Sequence, residues 1–148
     1  MKNLLGNPAF IAYAITCLAL CANLLVLWVY SGVARGKVKV SLNKEDMETF
    51  GGSLAEIDPP KVARILRAHS NASASIYPFL SIGLIYLLAG GTAGTAAALF
   101  GIFTFARVLH SFAYLNAKQP WRTISFVTGL LATVVLMLVT SWLILRAA

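Results

Sequence analysis

Four apolar segments, at about residues 8–34, 62–89, 94–116 and 121–145, occupy most of this chain of 148 residues. Each is at least as long as the roughly 20 residues that an α-helix needs to cross about 30 Å of hydrocarbon. The sequence therefore predicts an all-α membrane protein, folded as a single domain over residues 1–148. Its predicted architecture is a four-transmembrane-helix bundle.

The composition agrees with that class. Hydrophobic residues make up 59% of the chain and charged residues 11%, whereas soluble domains carry about 25% charged residues. The formal net charge of +7 would indicate nucleic-acid binding if the basic residues formed a water-exposed patch. Several lie within or beside apolar segments instead, so we expect membrane lipids and no nucleic acid as partners.

Two cysteines, Cys17 and Cys21, lie four residues apart in the first apolar segment. This spacing is compatible with a pair of metal ligands, but no further ligand lies near them in the sequence. Free cysteine generally behaves as a small hydrophobic residue. We therefore interpret both as buried structural thiols and expect no metal site.

The hydrophilic stretch 35–61 holds all five acidic residues, and we expect a short helix over Lys44–Phe50. Its basic residues, together with Lys118 and Arg122, outnumber those at the two termini. Because cytoplasmic loops of membrane proteins carry an excess of lysine and arginine, the connections 35–61 and 117–121 are predicted to be cytoplasmic. Both termini are then predicted to be non-cytoplasmic.

Arg107 lies inside the third apolar segment, where a charged side chain costs at least about 2.5 kcal/mol. It must therefore face the protein interior or a wet cavity. Two interpretations stay open: a functional cation, or a buried arginine that bonds carbonyl groups or a loop acid. His110 and Tyr114 follow at i+3 and i+7, so the three side chains point within about 60° of one another on a helix.

A second group of polar residues, Arg67, Ser70 and Asn71, lies in the second segment. The topology places Asn71, Tyr114 and Arg122 at a similar membrane depth. No acidic residue lies inside the apolar segments, so loop carboxylates, ions, lipid head groups or an anionic ligand must balance the cations. Arginine with amide and hydroxyl donors suits a small peptide-like molecule with carboxylates, such as glutathione.

Several short sequence motifs resemble those of a known family. These motifs are RAHSN at 67–71, IYPFL at 76–80, RVLHSFAYL at 107–115, RT at 122–123, NKED at 43–46 and GG at 51–52. In order and spacing they resemble the MAPEG family (membrane-associated proteins in eicosanoid and glutathione metabolism), particularly its microsomal prostaglandin E synthase type 1 branch. No single string is decisive, but together they cover the chain from about residue 36 to 126.

The resemblance implies homotrimers of four-helix subunits, with glutathione bound between adjacent subunits at the cytoplasmic side. Carried over by position, the residues that would line this site are Lys39, Ser70, Asn71, His110, Tyr114, Arg122, Thr123 and Phe126. Arg122 would be the principal catalytic residue, because a nearby positive charge favours thiolate over thiol. Thr123 would donate a hydrogen bond to the sulfur, and Asp46 would orient Arg122 from the loop.

This chain also departs from the family pattern. Ala74 stands where the family usually has glutamate, one turn after Asn71. Without this acid, one expected contact with the glutathione amino group is lost. Ser70 replaces a basic residue of the prostaglandin branch. Lys39 replaces an arginine, and Phe126 replaces a tyrosine.

The family's activities are glutathione conjugation, peroxide reduction and eicosanoid isomerisation. The resemblance therefore implies a glutathione-dependent membrane transferase or peroxidase that activates the thiol for reaction with a lipophilic electrophile or lipid peroxide. The alternative is a non-catalytic lipid-binding or scaffold member of the same fold. The departures from the family pattern at Ala74 and Phe126 favour this alternative. A small transporter is disfavoured because the sequence contains no evident inverted repeat.

Overall fold

The computed structural model describes residues 4–147, so the ends of the predicted domain, residues 1–3 and 148, lie outside it. Its long helices are α1 (Pro8–Val38), α3 (Pro60–Leu88), α4 (Ala93–Leu115) and α5 (Trp121–Ala147). All four are long and apolar enough to cross a membrane. They coincide with the four predicted segments, which confirms the all-α, four-span architecture. A short 3₁₀ turn, Leu4–Gly6, precedes α1.

Helix α4 is central, since it packs against α1, α3 and α5. Helix α3 also contacts α1 and α5, whereas α1 and α5 do not touch each other within residues 4–147. Aromatic rings fill the space between α3 and α4. The rings of Phe79 and Phe103 stack at 3.6 Å between centroids, with an interplanar angle of 2°. Phe100 meets Phe79 edge-on at 5.8 Å, so these three residues form a continuous aromatic core.

Helix α1 begins with its polar cap and ends beyond the predicted boundary at residue 34. Asn7 precedes Pro8, and its Oδ1 accepts a hydrogen bond of 3.0 Å from the backbone N–H of Ala9. At the other end the helix continues to Val38. The prediction stopped where charged residues begin, but a helix that leaves the hydrocarbon no longer needs apolar side chains. Arg35 in the last turn also suits the negative end of the helix dipole.

The loop between α1 and α3 contains the predicted short helix, α2 (Lys44–Phe50). It also contains two short strands, β1 (Val40–Ser41) and β2 (Ser53–Leu54), which pair in parallel. The ion pair between Arg35 Nη2 and Asp58 Oδ1, at 2.8 Å, ties the end of this loop to α1. The loop is thus held close to the end of α1.

Polar side chains inside the bundle form hydrogen bonds between helices. Asn23 donates through Nδ2 to Ser111 Oγ at 3.1 Å, which joins α1 to α4. Tyr13 donates through its hydroxyl to the carbonyl oxygen of Leu80 at 3.1 Å, which joins α1 to α3. Such bonds satisfy polar groups that have no water available in the bilayer core.

The two thiols lie on α1 and are both free. Cys17 is half-buried, but Cys21 is exposed, so the prediction that both are buried is wrong for Cys21. The reason is that an apolar side chain on a membrane helix needs no cover from protein, because lipid covers it. Among residues 4–147, no cluster of three or more histidine, cysteine or acidic side chains could hold a metal ion.

Candidate functional site

A cavity of about 240 Å³ lies where α3, the end of α4 and the beginning of α5 meet. We call it the Arg122 cavity, and its lining residues are Asn71, His110, Tyr114, Arg122, Thr123 and Phe126. All six are among the site residues that the family resemblance implies. The antiparallel order of the helices brings them together from positions up to 55 residues apart (126 − 71). The predicted common depth of Asn71, Tyr114 and Arg122 therefore matches the fold.

The guanidinium of Arg122 lies over the ring of Tyr114, with 5.1 Å between Cζ and the ring centroid. Such a cation–π contact is worth about 0.5–1 kcal/mol when exposed and more when desolvated. The oxygen of the Gln119 amide, in its better-bonded orientation, accepts from Arg122 Nη2 at 2.9 Å and Nε at 3.2 Å. No acidic side chain pairs with Arg122 in the part of the chain that the structure describes. Its positive charge is therefore available to a ligand.

Gln119 is a member of the site that sequence reasoning missed. Its amide oxygen bonds Arg122, and its amide nitrogen donates to Thr123 Oγ1 at 3.1 Å. One amide thus connects the two residues expected to act on a thiol. The available signal was its position two residues before the first residue of α5, Trp121, where a polar side chain can bond groups of the first turn.

His110 is almost fully buried, with 3% of its surface exposed. Its Nδ1 lies 2.9 Å from the carbonyl oxygen of Arg122; a carbonyl can only accept, so Nδ1 donates. Its Nε2 is buried and makes no hydrogen bond within residues 4–147. The ring also contacts the rings of Tyr114 and Phe126, with centroids 5.7 and 6.0 Å away. His110 thus lines the cavity mainly as the residue that fixes the backbone of Arg122.

Arg107 joins α4 to α3 beneath this cavity. Only 1% of its surface is exposed, and its Nη2 donates to Asn71 Oδ1 at 2.6 Å and to the Asn71 carbonyl oxygen at 3.2 Å. The structure therefore supports the interpretation of Arg107 as a buried arginine that bonds a carbonyl group. Oδ1 of Asn71 is occupied by Arg107, whereas its Nδ2 group makes no hydrogen bond within residues 4–147 and can donate to a ligand.

A second cavity, of about 290 Å³, adjoins the first and shares Asn71 and Phe126 with it. We call it the Arg107 cavity; Ala74 and Gly129 also line it. A Cβ at Gly129 would lie 3.2 Å from Cδ of Arg107, a tight contact to which the arginine would have to yield by a few tenths of an ångström. The absence of a side chain on Gly129 thus makes room for the arginine.

Three predicted site residues lie elsewhere in the single chain. Lys39 and Asp46 line a separate cavity of about 330 Å³ between the end of α1 and the loop. Asp46 Oδ2 accepts a 3.0 Å hydrogen bond from Asn43 rather than from Arg122. Ser70 is exposed on α3 and lines neither the Arg107 nor the Arg122 cavity. The separation follows from the packing, because α1, which carries this loop, does not contact α5.

Comparison with known proteins identifies the family of this bundle. The model of the MAPEG family matches residues 13–142. Microsomal glutathione S-transferase 1 of Rattus norvegicus is 37% identical over 134 residues, covering 87% of this chain and 86% of that protein. Prostaglandin E synthase of Equus caballus is 33% identical over 135 residues, covering 87% and 88%. The chain therefore belongs to the MAPEG family, and it is a multi-pass integral membrane protein.

Proposed function

We propose that this protein is a glutathione-dependent membrane transferase, and that the thiol of glutathione binds in the Arg122 cavity. Relatives named glutathione S-transferase and prostaglandin E synthase support the use of glutathione. The observation that carries the proposal is the position of Arg122, on a cavity wall shared with Asn71, Tyr114 and Thr123. Its guanidinium has an aromatic and an amide partner and no carboxylate partner among residues 4–147.

The proposed chemistry begins with ionisation of the glutathione thiol. A guanidinium beside a thiol stabilises the thiolate, which is the reactive nucleophile. Arg122 supplies this charge, and the hydroxyl of Thr123 donates a hydrogen bond to the sulfur. Nδ2 of Asn71 and the hydroxyl of Tyr114 bind polar groups of the peptide. The thiol proton passes to water.

The thiolate then reacts with a lipophilic substrate that enters from the bilayer. With a carbon electrophile, a sulfur–carbon bond forms as the leaving group departs with its bonding electrons. With a lipid hydroperoxide, the sulfur takes the terminal oxygen with its hydrogen as the O–O bond breaks, and the lipid leaves as an alkoxide that takes a proton from water to become the alcohol. A second glutathione reduces the resulting sulfenic acid and releases water and the disulfide. Exposed apolar side chains beside the cavity, Phe126 and Leu130, favour a substrate that arrives through lipid.

A homotrimer completes the proposal. Lys39 and Asp46 lie away from the Arg122 cavity of their own chain, so we assign them to the site of a neighbouring copy. There Asp46 accepts a hydrogen bond from part of the Arg122 guanidinium and orients it, the remaining N–H donors face the thiolate, and Lys39 binds a glutathione carboxylate. The loop end of each subunit faces the cytoplasm, which supplies the thiol, and both termini lie on the opposite side.

A titration of the purified protein with glutathione and with S-methylglutathione tests this function. The account predicts that glutathione raises the unfolding temperature more than its S-methyl analogue does, because only the free thiol can ionise beside Arg122. It also predicts turnover within a panel of electrophiles and lipid hydroperoxides. Absence of both effects, with anionic lipid co-purifying in the cavity, would instead support the non-catalytic lipid-binding alternative.

A further inference from the structure

The Arg107 cavity contains a cation that no acidic side chain among residues 4–147 neutralises. Arginine has five N–H donors, and the two hydrogen bonds of Arg107 both come from Nη2. Its Nε is buried and unpartnered within the described chain. A buried charge with unused donors is costly unless another group pairs with it. The guanidinium therefore has the capacity to bind an anion.

In the part of the chain that the structure describes, the side chains around the guanidinium offer no such anion. All five acidic residues lie in the segment 45–58, between α1 and α3. Ser75 Oγ bonds the backbone of its own helix, at 2.9 Å from the carbonyl oxygen of Ala72. Thr133 Oγ1 likewise donates to the carbonyl oxygen of Gly129 at 2.9 Å. Ala74, which lines the same cavity, has only a methyl group.

We propose that the Arg107 cavity is a subsite for the carboxylate group of an organic ligand. A water molecule occupies about 30 Å³, so a cavity of about 290 Å³ has room for the carboxylate and several carbon atoms. Pro78, Phe126 and Leu130 provide apolar walls for those carbons. Ala74 is the specificity-determining residue, because a carboxylate there would pair with Arg107 and replace the ligand.

The subsite adds a ligand-binding group to the proposed function. The identity of its ligand rests on that proposed function. Because the Arg107 and Arg122 cavities share Asn71 and Phe126, a carboxylate bound at Arg107 lies beside the thiol site. Two molecules could supply it. One is the thiol peptide itself, through the carboxylate of its glutamyl arm; the other is a lipophilic acid that enters from the bilayer.

The test compares wild-type protein with Ala74→Glu and Ala74→Gln, two substitutions of nearly equal size that differ in charge. Dissociation constants are measured for two ligand pairs on the full-length protein in detergent. The lipid pair is oleate and methyl oleate. The thiol pair is glutaryl-cysteinyl-glycine, which lacks the ammonium group of glutathione, and the analogue in which its glutaryl carboxylate is an amide.

The account predicts that Ala74→Glu weakens the charged member of one pair at least about tenfold, equivalent to about 1.4 kcal/mol. Ala74→Gln and the neutral members should show no such loss. The pair that responds identifies the source of the carboxylate. Equal losses in the two variants, or equal losses for charged and neutral ligands, would overturn the subsite.

A separate measurement distinguishes failure of this proposal from failure of the proposed function. It is the ultraviolet difference absorbance of the glutathione thiolate bound to the same wild-type preparation. If that absorbance is absent but oleate binding depends on charge at position 74, the transferase proposal fails and the subsite stands. If the absorbance is present and neither pair depends on that charge, the subsite alone fails.

Discussion

His110 on α4 holds the first turn of α5, because its Nδ1 donates a hydrogen bond of 2.9 Å to the carbonyl oxygen of Arg122. Ser125 Oγ lies 3.2 Å from the same carbonyl oxygen, and its shorter hydrogen bond, of 2.7 Å, goes to the carbonyl oxygen of Trp121. The position of the Arg122 side chain therefore depends on a residue of the preceding helix. Under the proposed function this relationship separates two roles on the cavity wall, with Arg122 as the residue that would meet the ligand and His110 as the residue that positions Arg122.

Replacement of His110 tests that positioning role. His110→Leu removes the donor, and we expect it to destabilise the fold by about 1 kcal/mol and to reduce the amplitude of the glutathione thiolate absorbance. His110→Asn carries an amide N–H close to the position of Nδ1 and should restore part of that amplitude. Equal amplitudes in the leucine and asparagine variants would contradict the positioning role.

Gly129 gives a test of the packing around Arg107. Alanine at 129 would place Cβ 3.2 Å from Cδ of Arg107, and the arginine cannot move freely because it is bonded to Asn71. The matched control is Gly101→Ala, where a Cβ meets nothing within 4 Å and the better helix propensity of alanine stabilises. We expect thermal unfolding in detergent to show Gly129→Ala less stable than Gly101→Ala by about 1 kcal/mol. The reverse order would contradict this account of the glycine.

The aromatic core between α3 and α4 makes a stability prediction. Phe103→Ala removes the ring stacked on Phe79, and such truncations of buried phenylalanine cost about 3–5 kcal/mol. Phe105 lies on the same helix with 71% of its surface exposed, so Phe105→Ala should cost far less. Unfolding titrations of the two variants in mixed micelles provide the measurement, and similar midpoints would refute the core assignment.

The ion pair of Arg35 and Asp58 should restrain the loop that carries Lys39 and Asp46. Asp58→Asn removes the charge that pairs with Arg35 at 2.8 Å, and we expect faster amide hydrogen exchange over residues 39–59. The cost in global stability should be about 1 kcal/mol or less, as for other partly exposed ion pairs. Glu56→Gln, at an exposed position, is the control and should leave exchange unchanged. Equal exchange rates in both variants would show that the pair does not hold the loop.

Much of this fold was predictable from the sequence because the signals were long and local. Apolar length alone marked α1, α3, α4 and α5, and the polar run at 44–50 marked α2. The strands β1 and β2 were missed, since two residues each are too few for a pattern. Their parallel pairing depends on contacts between residues 13 positions apart, such as Val40 with Ser53.

The candidate site was predicted in part, and for a physical reason. Helical spacing and membrane depth predict one layer for Asn71, His110, Tyr114 and Arg122, and all four line the Arg122 cavity. Periodicity could not show that Arg107 bonds Asn71, because that contact depends on how α4 packs against α3. The separation of Asp46 from Arg122 likewise follows from the packing of α1, and the sequence pattern does not predict which helices α1 contacts.

The most direct test of the central claim is the ultraviolet difference absorbance of the glutathione thiolate bound to purified protein. The account predicts a thiolate band in wild type, its loss in Arg122→Ala and its retention in Arg146→Ala, which removes an exposed cation at the other end of α5. A wild-type protein that forms no thiolate, or a band that survives in Arg122→Ala, would contradict the assignment of Arg122 as the residue that activates the thiol.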